Sequence, residues 1–135
     1  MIDPKSCCQV GIVTRNLEKT AAEFCTMFGV SMPKINSIPS PDISHTTFKG
    51  KPTATRARFC CFDMGQLVLE LLEPDEQDSS YKEVLGDDKE MVFHHVGFKG
   101  NQTEEDRAYF EQMGCPVRQA GDYPGGAYML VDTLD

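Results

Sequence analysis

The sequence predicts an α+β fold built from two copies of one unit, and three observations lead to this prediction. Residues 9–29 and residues 95–114 share one pattern, a short apolar strand followed by a helix that ends at glycine. The two copies are offset by 86 residues at their starts and by 85 at their ends, so they align with a single gap. Further along the chain, residues 58–63 match residues 127–132 at a constant offset of 69. Such internal similarity predicts a duplicated architecture.

The first copy contains a strand, a helix and a hairpin. Residues 8–14 are typical of a strand, and Asn16 is placed to cap a helix that Gly29 ends. Apolar residues fall on one face of this helix, at Leu17, Ala21, Phe24 and Phe28. Residues 31–55 are rich in proline and serine, which predicts a long loop with at most one short strand, around residues 44–49. Residues 55–62 and 67–72 then form the two strands of a hairpin around the turn at residues 63–66.

The second copy follows an acidic connector. We assign residues 7–74 to the first module, 75–91 to the connector and 92–135 to the second module of a single domain. The connector contains a short helix at residues 79–85, and the second module a strand, a helix and two further strands. These last elements are predicted at residues 93–99, 103–113, 116–119 and 127–131. The repeat places the counterpart of Glu70 near position 139, so we expect the last strand of the second module beyond residue 135.

The composition of the chain restricts the classes of molecule that it is expected to bind. A formal net charge of −8 at pH 7 argues against nucleic acid or an anionic membrane as the main partner, since both require a basic face. The longest apolar runs are too short to cross a bilayer, and residues 1–5 show no apolar leader, so we expect a cytoplasmic protein. The six cysteines lack C-x-x-C spacing and are expected to be reduced and without a function of their own.

Three residues are candidate metal ligands. Glu70 is the single carboxylate within an otherwise apolar strand, where an acid is costly unless it is paired or bound to a cation. Strand alternation places Glu70 with Val68 and Leu72 on one face. His95 and Gln9 occupy equivalent positions in the two copies. Alternation also predicts that His94 points away from His95.

A glycine lies two residues after each of the equivalent candidates, Gln9 and His95. Gly11 follows Gln9 and Gly97 follows His95 on the same strand face, which leaves access to both side chains. We expect Val96 and Phe98 to form core under the second helix.

The alternative to a metal-binding Glu70 is more ordinary. In that interpretation Glu70 faces solvent on one side of a half-exposed hairpin.

The three donors together predict the class of metal. An amide oxygen, a carboxylate and an imidazole suit nickel, cobalt, zinc, manganese or iron in open coordination. Arg56 and Arg58 share a strand face and are candidates to bind an anionic substrate group, although a solvated pair is the simpler interpretation. His45, in the long loop, is either a pocket residue or a solvated side chain.

The residues that carry these features resemble the vicinal oxygen chelate superfamily. The resemblance lies in Gln-Val-Gly-Ile-Val from Gln9, Leu-Glu-Leu-Leu-Glu-Pro from Leu69 and Phe-His-His-Val-Gly-Phe from Phe93. It extends over nearly the whole chain, and residues 78–85 look most like the branch of glyoxalase I and methylmalonyl-CoA epimerase. The resemblance implies paired βαβββ modules that form a curved mixed sheet around a central cup, often within a homodimer.

The resemblance also implies a site and an activity. Family ligands lie on the first and fourth strands of each module, which correspond here to Gln9, Glu70, His95 and an acid beyond residue 135. The implied activity is proton transfer next to the carbonyl of a hemithioacetal or thioester, with a divalent metal ion. The alternative is a small-molecule-binding, resistance-type protein without catalysis. An extradiol dioxygenase ranks last, since Gln9 replaces a required histidine. Epimerases tend to carry a catalytic acid in the region of residues 50–56, which has none here. The catalytic base is left unassigned.

Overall fold

The computed structural model of the chain describes residues 1–101 and 103–133, and these contain nine strands and four α-helices. A 3-10 turn, Pro4–Ser6, precedes the first strand. The first half contains β1 (Cys7–Thr14), α1 (Leu17–Phe28), β2 (Asn36–Ser37), α2 (Pro41–Ser44), β3 (Thr47–Phe48), β4 (Lys51–Pro52), β5 (Ala57–Asp63) and β6 (Val68–Pro74). The second half contains α3 (Ser80–Leu85), β7 (Met91–Phe98), α4 (Thr103–Gln112), β8 (Val117–Tyr123) and β9 (Gly126–Val131). The predicted α+β class is therefore confirmed.

The larger sheet joins the two halves of the chain. Its strand order is β2-β5-β6-β1-β7. β1 runs parallel to β6 and antiparallel to β7, so the sheet is mixed, as predicted. β1 and β7 are the first strands of the two copies, and their pairing places equivalent residues of the repeat side by side. The predicted last strand, beyond residue 135, lies outside the described residues and stays a prediction.

The smaller sheet has the order β4-β3-β8-β9, and it corrects the prediction for the long loop. Instead of one short strand around residues 44–49, this segment contains β2, α2, β3 and β4. β2 pairs with β5, and β3 pairs with β8, which is distant in sequence. Strands of two residues carry no detectable periodicity, and partners far along the chain determine where they form.

Helix α1 covers one face of the larger sheet, as the apolar pattern predicts. The Asn16 side chain accepts a hydrogen bond from the Lys19 backbone N–H at the start, and Gly29, with φ of 67°, ends the helix in the left-handed region. Leu17 and Ala21 are fully buried against the sheet. The sheet contributes Val10, Ile12, Cys60, Phe62, Leu69 and Leu71 to this cluster. Full burial of a leucine here contributes about 1.5–3 kcal/mol to folding.

The opposite face of the larger sheet meets α3 and the smaller sheet. Val13 and Leu72 pack there with Tyr81 and Leu85 of α3, and Leu130 of β9 contacts the same cluster. Leu72 thus lies on the face opposite Leu69 and Leu71 of the same strand, which confirms the predicted alternation along β6. Glu70 therefore lies on the face away from α1.

Two expected core residues are largely exposed. Val96 and Phe98 of β7 have 45% and 44% of their surface exposed, so the prediction of a core under the second helix is wrong for the described residues. Helix α4 packs against β8. It is also a weakly amphipathic helix, because its sequence is mostly charged and polar, and it buries only Asp106. Within the described part of the chain, no helix combines the length and apolarity needed to cross a membrane.

Candidate metal centre

Three adjacent strands bring the predicted ligands together. Gly11 of β1 pairs with Glu70 on one side and with His95 on the other. Gln9, two residues earlier on the same strand, pairs with Gly97 of β7. The three polar side chains therefore arise from β1, β6 and β7 within one small area of the sheet.

The donor atoms of these side chains converge. His95 Nε2 lies 2.9 Å from Gln9 Oε1 and 3.7 Å from Glu70 Oε1. The side chains of His95 and Glu70 are each only 15% exposed. Among residues 1–101 and 103–133, no group of three histidine, cysteine, aspartate or glutamate side chains could hold a metal ion. The set described here has a different composition, because its third donor is the amide oxygen of Gln9.

Two glycines make this convergence possible. A Cβ atom on Gly11 would overlap the imidazole of His95, with even Nδ1 only 2.5 Å away. A Cβ atom on Gly97 would lie 3.0 Å from Cβ and 3.1 Å from Oε1 of Gln9. Each copy of the repeat therefore has a glycine where the candidate ligand of the other copy lies. Both glycines were predicted to leave access to the candidate ligands, and each one makes room for the ligand of the other copy.

Burial shifts the protonation of the cluster toward neutral forms. It raises the pKa of Glu70 from 4.5 to about 7, although a hydrogen bond with the Gln9 side chain acts in the opposite direction. Burial also lowers the pKa of His95, so the ring is neutral near pH 7. Metal ligation requires a neutral imidazole. The positive charge of a metal ion would also offset the cost of burying the Glu70 carboxylate.

A β-bulge in β7 corrects the prediction for His94. Gly11 pairs with His95, whereas the next residue, Ile12, pairs with Phe93, so His94 is an extra residue in the ladder. The bulge brings the rings of His94 and His95 together instead of placing them on opposite faces. Their Nδ1 atoms are 2.8 Å apart, and the two rings are nearly perpendicular, at 87°. Strand alternation fails here because it presumes a regular ladder.

Residues of α3 contact the imidazole of His94. Its ring centroid is 4.9 Å from that of Tyr81, and the Ser80 backbone makes a polar contact that favours the protonated ring. Burial, followed by the proximity of His95, outweighs this contact and lowers the pKa of His94 to about 4. His94 is therefore neutral at physiological pH. The sequence signal for this role was the adjacent pair of histidines.

A buried polar network extends from Ser80 into the smaller sheet. The backbone N–H and the hydroxyl of Ser80 both donate to Gln119 Oε1, at 2.9 and 3.0 Å. Gln119 Nε2 donates to the Tyr128 hydroxyl at 3.0 Å, and the Gln119 side chain has no exposed surface. The network links the support of His94 to β8 and β9. No pattern in the sequence distinguishes Gln119 from an exposed strand residue.

The structure does not bring the two arginines to this cluster. Arg58 donates to both carboxylate oxygens of Glu18 and to Glu73, on the α1 side of the sheet. Arg56 donates from its side chain to the Ile38 carbonyl oxygen at 3.0 Å. An anionic substrate at Arg56 and Arg58 stays a prediction. The imidazole of His45 contacts the carboxylate of Asp122 at 2.9 Å and is well exposed.

The three donors fit a divalent metal ion. A desolvated carboxylate, a neutral imidazole and an amide oxygen converge, with His95 Nε2 2.9 Å from Gln9 Oε1 and 3.7 Å from Glu70 Oε1, and Gly11 leaves the space that the imidazole occupies. Such a set leaves positions for substrate or water oxygens around nickel, cobalt, zinc or manganese. The chemistry of the donors and their burial thus both suit a cation.

The family follows from comparison of the sequence with protein-family models. The chain matches the model of the Glyoxalase/Bleomycin resistance protein/Dioxygenase superfamily over residues 8–131. The match extends from β1 through β9, so the chain belongs to this superfamily. A comparison with curated proteins gave no significant match. Membership defines the fold and the general class, and the particular activity has to be argued from the site.

Proposed function

We propose that the protein is a metal-dependent lyase or isomerase that moves a proton on the carbon next to a carbonyl. The observation that carries this proposal is the convergence of Gln9, Glu70 and His95 on one buried area of the larger sheet. The proposed substrates are small hemithioacetals or acyl thioesters, as in the glyoxalase I and epimerase branch that the sequence resembles. A cytoplasmic homodimer, also expected from the sequence, belongs to the same proposal.

The proposed roles follow from the chemistry of the three side chains. Glu70 supplies a carboxylate, His95 the lone pair of Nε2 and Gln9 an amide oxygen to nickel, cobalt, zinc or manganese. When bound, such an ion supplies Lewis acidity that makes a proton next to a carbonyl easier to remove. Glu70 exchanges its proton near pH 7 in the metal-free protein, because its pKa is about 7.

The first test is a calorimetric titration of each of the four metal ions into the full chain, combined with visible absorption of the cobalt complex. The variants are Glu70→Gln and His95→Gln. Each has a matched control at a surface site, Glu90→Gln and His45→Gln. Glu90 is 78% exposed and His45 is 66% exposed, so neither change affects the cluster.

We expect one ion per chain in the wild type and in both controls, and at least a tenfold weaker binding in both site variants. Absent binding in the wild type, or binding that neither site variant weakens, would contradict the proposal. A metal-loaded protein is then assayed with a hemithioacetal and with a chiral 2-methyl thioester, by loss of the substrate and by deuterium uptake from D2O. Deuterium uptake without net turnover still reports proton removal.

A resistance-type binding protein without catalysis is the alternative. Under this alternative the cup binds a small molecule and neither substrate exchanges a proton, with or without metal. The deuterium measurement therefore separates the two functions.

A further inference from the structure

We propose that His94 determines the tautomer of His95 and, through it, the readiness of His95 to bind a metal ion. The inference rests on the proposed function, since it concerns the same site. His94 is a positioning residue, because it touches His95 and neither Gln9 nor Glu70 in the contacts described above. Its position depends on the β-bulge, which places two consecutive imidazole rings within hydrogen-bonding distance.

The contact between the two rings requires one donor and one acceptor. Each neutral imidazole carries a single N–H, and the two facing atoms are both Nδ1, at 2.8 Å. One Nδ1 must therefore carry a proton and the other must not. Whichever ring donates here has an unprotonated Nε2, and the other ring has its proton on Nε2. The tautomers of His94 and His95 are thus coupled, and they are opposite in this contact.

The 2.9 Å contact of His95 Nε2 with Gln9 Oε1 assigns the metal-free arrangement. The Gln9 side chain donates to the Glu70 carboxylate, which lowers the pKa of that carboxyl, so its amide oxygen is left to accept from His95 Nε2–H at 2.9 Å. His95 Nδ1 is then the acceptor, and His94 Nδ1–H is the donor. In this arrangement the His95 lone pair that a metal ion requires is protonated.

Metal ligation by His95 requires the opposite arrangement. The proton leaves Nε2 of His95, and Nδ1 of His95 takes over the proton that His94 Nδ1 had held. His94 then takes up a proton from water on its own Nε2. The Ser80 backbone contact, which favours a protonated ring, supports this second arrangement and opposes the first, since Nδ1 of His94 is already in contact with His95. One proton is released and one is taken up, so both rings stay neutral. His94 thus changes from donor to acceptor and orients the ligand, as the outer partners of metal-bound histidines generally do.

The test combines nitrogen-15 NMR of the histidine rings with zinc titration. Two-bond proton–nitrogen spectra distinguish the tautomers of His94 and His95 in the metal-free and zinc-loaded full chain. We expect both rings to exchange tautomers when zinc is added. His45, which is remote and exposed, serves as the internal reference.

Two near-isosteric variants separate positioning from packing. His94→Leu removes the hydrogen bond, and His94→Asn restores an acceptor close to the position of Nδ1. We expect zinc affinity to fall about 10- to 100-fold in His94→Leu and by clearly less in His94→Asn. Circular dichroism and the thermal midpoint check that both variants fold.

The outcomes distinguish the two proposals. Zinc binding by the wild type without a tautomer change, or with equal affinity in His94→Leu, would overturn the role of His94 and leave the metal site standing. Equal loss in both variants would reduce His94 to a packing residue and also overturn it. Absent zinc binding in the wild type would overturn the metal site and the role of His94 together.

Discussion

The imidazole of His95 occupies the space directly over Gly11, where any other residue would place its side chain. Gly11 lies between the strands that carry Glu70 and His95 and pairs with both residues. The glycine of one copy of the repeat is therefore a structural requirement for the candidate ligand of the other copy.

Substitution of Gly11 by alanine is expected to displace His95. The new methyl group would overlap the ring, and the neighbouring backbone is fixed by strand pairing on both sides. We expect zinc affinity to fall at least tenfold, and more than in Gly97→Ala, where the added Cβ meets Gln9 at 3.0 Å. Titration calorimetry compares the two variants. Gly100→Ala, whose Cβ would make an ordinary contact at 3.4 Å, is the control.

The contribution of Glu70 to the stability of the metal-free protein is expected to fall as the pH rises from 6.5 to about 8.5. Glu70 has a pKa near 7 in the folded protein against 4.5 for an ordinary glutamate, so the folded protein holds this proton more tightly. The resulting stabilisation is fully present below pH 4.5 and is lost as the pH rises through 7. The part lost above pH 6.5 corresponds to about 1 kcal/mol. Urea unfolding with a chelator present measures it.

Other groups titrate in or near this pH range, so the Glu70 contribution is measured as a difference between proteins. The pKa values of His94 and His95 are lowered from 6.5, so their contribution to stability rises with pH up to about 7.5 and offsets part of the Glu70 decline. Those of Cys60 and Cys61 are raised from 9.0 to about 11, so their contribution changes mainly above pH 8.5. We expect the stability difference between the wild type and Glu70→Gln to change by about 1 kcal/mol between pH 6.5 and 8.5, and the difference between the wild type and Glu90→Gln to stay constant. A difference for Glu70→Gln that does not change with pH would contradict the raised pKa of Glu70.

Substitution of Gln119 by leucine is expected to destabilise the protein. The change removes the partner of the buried Ser80 N–H and one of the partners of the Tyr128 hydroxyl, which costs about 2–4 kcal/mol of unfolding free energy. Gln112→Leu, at an exposed helix position, is expected to change stability by less than about 0.5 kcal/mol. Chemical unfolding of both variants gives the comparison, and equal effects would argue against a structural role for the network.

Substitution of Arg58 by glutamine tests the ion pairs that join α1 to the sheet. Arg58 contacts Glu18 and Glu73, and Glu73 also accepts a hydrogen bond from the Leu17 backbone at 2.8 Å. We expect the thermal midpoint to fall by roughly a few degrees, with zinc affinity unchanged. Arg107→Gln, which loses a surface pair with Glu104, is the control. A selective loss of substrate affinity in Arg58→Gln would instead support the predicted substrate role.

The repeat made the centre of the fold predictable. Equivalent positions at Gln9 and His95 indicated two candidate ligands of one site, and the lone acid in an apolar strand indicated Glu70. Both inferences depend on local pattern: alternation along a strand and similarity between copies. The structure places these three side chains together, as the pattern indicated.

Features that depend on distant partners were not predictable. The short strands β2, β3 and β4 form because β5 and β8 are nearby in space. The bulge at His94 shifts the register between β1 and β7, and no residue type at that position signals a bulge. The burial of Gln119 likewise depends on α3 and β9, which pack around it.

The two sheets pair no strand with each other among the described residues, so packing, connecting segments and the hydrogen bonds of Gln119 hold them together. We therefore expect two populations of amide protons in native-state hydrogen exchange. Amides of β1, β5 and β6, in the interior of the larger sheet, should exchange only through global unfolding. Amides of β8 and β9 should open at a lower free energy, through a subglobal event that loosens Ser80 and, with it, the support of His94. The affinity of the metal centre would then depend on the local stability of a sheet that contributes none of its three ligands.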